Sequence, residues 1–233
     1  MIFRQLFDSD TCTFSYLLGC SESRVAVLVD PVLDQVDRDL ALLQQLELDL
    51  AYTLETHIHA DHVTSAARLR SLTGCLVAYP ASDMPAEADV AVSELEPLPF
   101  GRQIVQPLFT PGHTDGHHAY VVDGGGTARV MTGDALLIDG CGRTDFQGGC
   151  AHTLFRSVHE KIFTLAPDTL VFPGHDYNNR HVSTVAQERE RNPRLGGART
   201  ADEFVSIMAS LDLPRPKRID VAVPANRRCG ALD

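Results

Sequence analysis

Ten residues, Thr53 to His62 (TLETHIHADH), hold three histidines and two acids: Glu55, His57, His59, Asp61 and His62. So many lone pairs in so little chain suit neither a helix surface nor a strand face. Imidazole nitrogens and carboxylate oxygens at this density are metal ligands by type. Three more residues of the same kind follow directly on glycine: His113 in TPGH, Asp134 in TGD and His175 in PGH. Imidazole plus carboxylate with no thiolate suits Fe(II), zinc or manganese. Two histidines and one carboxylate on one face, with open positions opposite, are how Fe(II) oxygenases bind their metal. A fuller set of the same residues serves a two-metal hydrolase. Residue types alone leave both open.

Such groups need rigid supports, and the surrounding sequence supplies them. DLAYTLET reads as a strand running straight into the histidine cluster. IVQPLFT, ARVMTGD and TLVFPGH read as strands ending at His113, Asp134 and His175. FSYLL, RVAVLVDP and HAYVVDG read as further strands. Helical spacing runs through DQVDRDLALLQQLEL and HVTSAARLRSL, and again at about 152–165, 181–191 and 201–211. Short apolar strands mixed with helices predict an α/β layered domain. Strand ends meeting at one sheet edge are a rigid place to build a site, because the loops beyond them can vary. From about Leu213 the chain turns rich in proline and arginine and reads as a docked extended tail.

The chain has 233 residues, 44% hydrophobic and 22% charged, with a net charge of -11. That is enough for a sizeable core and fits one domain with a short helical and extended C-terminal segment at about 200–233. The acidic balance gives no footprint for nucleic acid or an anionic membrane surface. No run of about 18 apolar residues predicts a membrane span. The start shows no basic segment followed by an apolar run, so a cytoplasmic location is expected. Six scattered cysteines without a CxxC pair then read as reduced thiols.

THIHADH resembles the HxHxDH signature of the metallo-β-lactamase fold, and His113, Asp134 and His175 fall where that fold has its later ligands. The resemblance implies an αβ/βα sandwich, two mixed β-sheets flanked by helices, with the site at one edge. TPGHTDGHHAYVV, TGDALLIDGCGRTDFQGG, HTLFRSVHEKIFTL, PGHDYNNRHVSTVAQERERNPRL and IDVAVPANRRCG are similar to the persulfide dioxygenases of that superfamily. This closer similarity runs from Arg4 to about Gly230. It implies oxidation of glutathione persulfide by O2 to sulfite and glutathione with one non-haem Fe(II), held by His57, His113 and Asp134. His59, Asp61, His62 and His175 are then outer groups, or ligands of a second metal. Asp176 and Tyr177 are expected to orient the metal's surroundings, and Tyr177 to face substrate.

Arg143 and Asp145 are close enough in GCGRTDFQGG for an internal ion pair that shapes the loop; the other reading sends Arg143 toward substrate. The tail from 212 to 233 holds five basic residues against three acidic ones. Arg215, Lys217 or Arg218 is therefore expected to contact the carboxylates of an anionic substrate. Cys229 is a candidate for oxidation. Dimers are common for such domains, so a homodimer stays open. Two alternatives remain: a glyoxalase II-type thioester hydrolase with a dinuclear site, and a non-catalytic metal-binding or scaffolding member. The shortness of the chain after PGHDY opposes the first, and the full ligand set opposes the second.

Overall fold

A computed structural model describes residues 1–94 and 96–232; Asp233, counted in the tail's charge, lies outside them. Two six-stranded mixed sheets face each other. The first holds β1 (Ile2–Asp8), β2 (Thr13–Cys20), β3 (Val25–Val29), β4 (Asp49–Leu54), β5 (Leu76–Pro80) and β6 (Val90–Val92) in sequence order. β1, β2 and β3 pair antiparallel, and β3 to β6 pair parallel. The second holds β7 (Leu98–Phe100), β8 (Gln103–Phe109), β9 (His118–Val122), β10 (Arg129–Gly133), β11 (Leu170–Pro173) and β12 (Ser183–Thr184). Only β10 and β11 pair parallel there.

Strand alternation builds the layers. On β2, Phe14, Tyr16, Leu18 and Cys20 point between the sheets, where they meet Val105, Tyr120, Val122, Met131 and Phe172 of the second sheet. Leu17 points the other way, under α1 (Val36–Leu46). With both faces covered, β2 reads as an unbroken apolar run. Behind the second sheet, α3 (Ala151–Ser157), continued by one π turn to Ile162, packs with α5 (Ala201–Ala209) through Leu154, Val158 and Phe204. The αβ/βα sandwich is therefore as expected.

Several expectations need correction. α2 is Ala66–Thr73, so His62 to Ser65 form a loop rather than helix. Val63 O accepts from Leu33 N, and Thr64 N donates to Asn226 Oδ1, which holds this loop open. The sequence pattern does not predict β1, β5, β6 or β7, and β12 lies in a stretch that reads as helix. β1 is a half-exposed edge strand with a mixed pattern, and β6 has three residues. α4 starts at Val185, not 181. The tail is not simply extended: Ile219–Asn226 is a helix, α6, with Pro224 inside it. Proline there costs one backbone hydrogen bond. Burial of Ala222 and Ala225 against Val63 offsets that loss.

One buried charge on α1 gives a pH-dependent expectation. Asp39 is fully buried and accepts from Arg38 Nε at 2.9 Å, while its second oxygen has no partner among the described residues. Burial pushes its carboxyl up to about 6, against the pull of Arg38. The folded state therefore keeps the proton that the unfolded state releases near pH 4, and stability falls as pH rises between those values. Above pH 6 the cost is complete, about 2–3 kcal/mol. Asp39→Asn is expected to melt at a higher temperature than the parent at pH 7.5. The gain should vanish at pH 4; an equal gain at both values would refute this account.

Candidate metal centre

Four strand ends converge at one edge of the sandwich. His57 follows β4 of the first sheet. His113, Asp134 and His175 follow β8, β10 and β11 of the second. Backbone bonds stitch the sheets together here: Phe14 N to Gly174 O at 2.8 Å, Asp176 N to Cys12 O at 3.0 Å and His118 N to Thr56 O at 2.8 Å. Two glycines permit the closeness. Gly133 has φ +48, and a Cβ on it would lie 2.5 Å from His117 Nε2. A Cβ on Gly174 would lie 2.7 Å from Asp134 Oδ1.

One nitrogen or oxygen each of His57, His113 and Asp134 lies within 4.8 Å of the others. Hydrogen bonds decide which lone pairs are free. Thr56 Oγ1 donates to Asp30 Oδ2 at 2.8 Å, so it accepts from His57 Nδ1 at 2.9 Å and leaves Nε2 unprotonated. His113 Nδ1 donates to Arg143 O at 2.7 Å, which again frees Nε2. Asp134 Oδ1 accepts from His175 Nδ1 at 2.7 Å, leaving Oδ2 3.5 Å from His113 Nε2. Three lone pairs thus face one point, and each ligand's other polar atom is fixed by a partner. That arrangement fits a resident cation.

A second group lies alongside. His59, Asp61 and His62 also bring ligand atoms within 4.8 Å of one another. His59 Nδ1 and His62 Nε2 are buried with no hydrogen-bond partner among the described residues. His175 is committed elsewhere. Its Nδ1 donates to Asp134, and its Nε2 to Asp61 Oδ2 at 3.0 Å. Burial opposes its protonation, but the two carboxylates outweigh burial and hold it well above its ordinary pKa. Burial would likewise raise Asp134; the charge and hydrogen bond of His175 hold its carboxyl below the usual range instead. Burial, reinforced by neighbouring His59, holds His57 well below its ordinary value and so neutral.

Other expected residues fall into distinct places. Arg143 makes both bonds of an ion pair to Asp145, at 2.6 and 2.7 Å. It also donates to Pro214 O at 2.7 Å and lies 4.5 Å over the Phe146 ring. It therefore holds the loop to the tail, and only its carbonyl serves the site, through His113. Asp176 accepts from Asn178 N and Arg180 N and shapes its own loop. Tyr177 stacks on His175 at 5.8 Å and is 67% exposed. Arg215 pairs with Asp220, Arg218 lies 3.6 Å from Asp34, and Lys217 is exposed; none is brought against the ligand atoms. Cys229 is fully buried with its thiol pushed up to about 12, which makes it inert and removes it as an oxidation candidate.

Sequence reasoning missed Asp30 and Asn226 as supports, and gave Glu55 no role beyond its ligand type. Asp30, at the end of β3, accepts from Thr56 N, Thr56 Oγ1 and His59 Nε2. Its position at a strand end was the available signal. Glu55 is buried, accepting from Thr64 Oγ1 at 2.6 Å with His59 Nε2 3.4 Å away. Asn226 of α6 donates to the carbonyls of His59 and His62 at 2.9 and 2.8 Å and accepts from Thr64 N at 2.9 Å. The last helix thereby fastens the histidine loop from below.

Fold and centre define a class first: residues 13–175 match the metallo-beta-lactamase superfamily. Human mitochondrial persulfide dioxygenase ETHE1 is 50% identical over 230 residues, covering 99% of this chain and 89% of the human protein. The crystal structure of ETHE1 from Myxococcus xanthus superposes with a TM-score of 0.95 at 48% identity, covering 99% of this chain and all of that one. A probable hydroxyacylglutathione hydrolase of Schizosaccharomyces pombe is more distant, 29% identical over 83% of this chain and 76% of its own length. The chain belongs to the ETHE1 family of persulfide dioxygenases.

Proposed function

We propose that this chain oxidises glutathione persulfide with O2 and water to sulfite and glutathione, using one Fe(II) held by His57, His113 and Asp134. The observation that carries it is the convergence of three lone pairs fixed from behind, two of histidine and one of carboxylate. Bound there, Fe(II) would supply redox chemistry toward O2 and open positions for the persulfide sulfur. The balance is one persulfide, one O2 and one water giving one thiol and one sulfite. His175 keeps a proton on each ring nitrogen between Asp61 and Asp134, which fixes the carboxylate's direction. Thr56 relays the pull of Asp30 onto His57. Tyr177 stands at the exposed mouth, where its hydroxyl can bind the incoming thiol compound. Arg143 steadies the adjoining loop, and a basic residue among Arg215, Lys217 and Arg218 meets the glutathione carboxylates.

Six free cysteines fit the reducing, cytoplasmic setting included in this reading. Among the described residues no helix is long and apolar enough to cross a membrane.

A second reading has one observation in its favour: the unpartnered nitrogens of His59 and His62 could serve a second cation, as in a thioester hydrolase. The commitment of both His175 nitrogens opposes it. Reaction type separates the two. Iron-loaded protein given glutathione persulfide is expected to draw down O2 and release sulfite in about equal amounts. The zinc form should do neither, because zinc has no redox chemistry. A flat oxygen trace together with rapid S-lactoylglutathione hydrolysis under argon would overturn the proposal.

A further inference from the structure

His117 lies in the segment between β8 and β9 and belongs to neither group of ligand atoms. It is fully buried. Its Nε2 accepts from the backbone N–H of Asp134 at 3.1 Å. That contact requires a bare lone pair, so the single ring proton sits on Nδ1, 2.9 Å from Thr110 Oγ1. Thr110 closes the loop again by donating its N–H to the His117 carbonyl at 2.9 Å. The ring stacks against His57 at 5.1 Å and meets His113 edge-on at 6.2 Å. One imidazole thus meets the rings of two of the iron ligands assigned above and the backbone of the third. Gly133 has no side chain where the His117 ring passes, and any Cβ there would collide with Nε2.

We propose that His117 is a positioning residue for the centre: a neutral imidazole strut that aims the Asp134 carboxylate by holding its backbone N–H, and backs the His57 ring by stacking. The inference rests on the iron reading above and adds a residue to it. A protonated His117, or the other tautomer, would set an N–H against the N–H of Asp134. The Asp134 N–H excludes that tautomer, and Thr110 Oγ1 then accepts the Nδ1 proton. The strut also runs from the end of β8 to the end of β10, so it fixes the distance between two ligand-bearing strands.

The test uses full-length protein and Fe(II) itself as probe. Iron affinity is read by chelator competition, and ligand geometry by the electron paramagnetic resonance of the ferrous–nitric oxide complex. His117→Leu keeps an apolar body but removes the acceptor. It is expected to lower iron affinity about 10- to 100-fold, the usual loss when a ligand's hydrogen-bonded support is removed. The nitrosyl spectrum should change as well. His117→Gln restores an acceptor toward Asp134 N and should recover most of the affinity and the parental spectrum. Thr110→Val leaves the buried Nδ1 proton without its acceptor, so the ring loses one of its two anchors, and both readouts should shift in the direction of the leucine variant. If His117→Leu fails to fold, Thr110→Val and His117→Gln decide. Parental affinity and spectrum in His117→Leu, or in Thr110→Val when the leucine variant is not folded, would overturn the proposal. So would a glutamine variant as impaired as the leucine one. Absence of iron from the parent protein would instead defeat the reading of the centre itself.

Discussion

Replacing His113 by alanine is expected to leave a folded chain that holds almost no iron. The ring is a ligand by assignment, and its Nε2 is one of the three lone pairs assigned to the metal. Loss of a mere support costs about 10- to 100-fold in metal affinity, so loss of a ligand should exceed 100-fold. Oxygen consumption should fall in proportion to the iron. Fold should survive, because His113 sits beyond the end of β8 and only its Nδ1 bond to Arg143 O is lost. His59→Ala and His62→Ala are expected to be milder in iron content. His113→Ala with one iron per chain and undiminished turnover would remove it from the ligand set.

Asn226→Ala should be as damaging from the opposite side of the loop. The side chain satisfies the carbonyls of His59 and His62 and the N–H of Thr64, all buried. Leaving three buried groups unpaired costs about 1–3 kcal/mol each, or about 3–6 kcal/mol together after partial relaxation. Urea unfolding should shift to a much lower midpoint with the slope unchanged. Iron content should fall too, since the freed loop carries His57. Asn226→Asp separates shape from chemistry. It keeps the volume but loses both donated bonds, and should be nearly as unstable. A parental midpoint and iron content in both variants would reduce α6 to packing.

The two supports differ in how far sequence could reach them. His57, His113, Asp134 and His175 were legible because each ends a strand and most follow a glycine. Type, spacing and element boundary all spoke at once. The α/β layering was legible in short apolar strands mixed with helices, whereas the two-sheet sandwich followed only from the resemblance carried by THIHADH and the later ligands. Asp30 carried half of that signal, a strand end without a histidine beside it. His117 was in plain view in TPGHTDGHHAYVV, but its role depends on which nitrogen holds the proton, and only the N–H of Asp134, brought beside it by folding, decides that. Asn226 gave no signal at all. Its partners lie 162 to 167 residues away, and a proline two residues earlier argued against a helix. Arg215 and Arg218 looked free because Asp220 and Asp34 pair with them only through folding.

The fastening of the histidine loop by Asn226 sets an order on the making of the protein. A ribosome delivers the chain from its amino end, and segments fold as they emerge. His57, His59 and His62 leave early, but the residue that holds their loop follows 167 positions after His59. Asp134 and His175 also come late. Until then the early histidines are loose ligands that any divalent ion can visit, with the strongest binders favoured over iron. Metal acquisition is therefore expected late in the making of the chain, and a polypeptide released before α6 is expected to carry the assigned ligands without the helix that holds their loop.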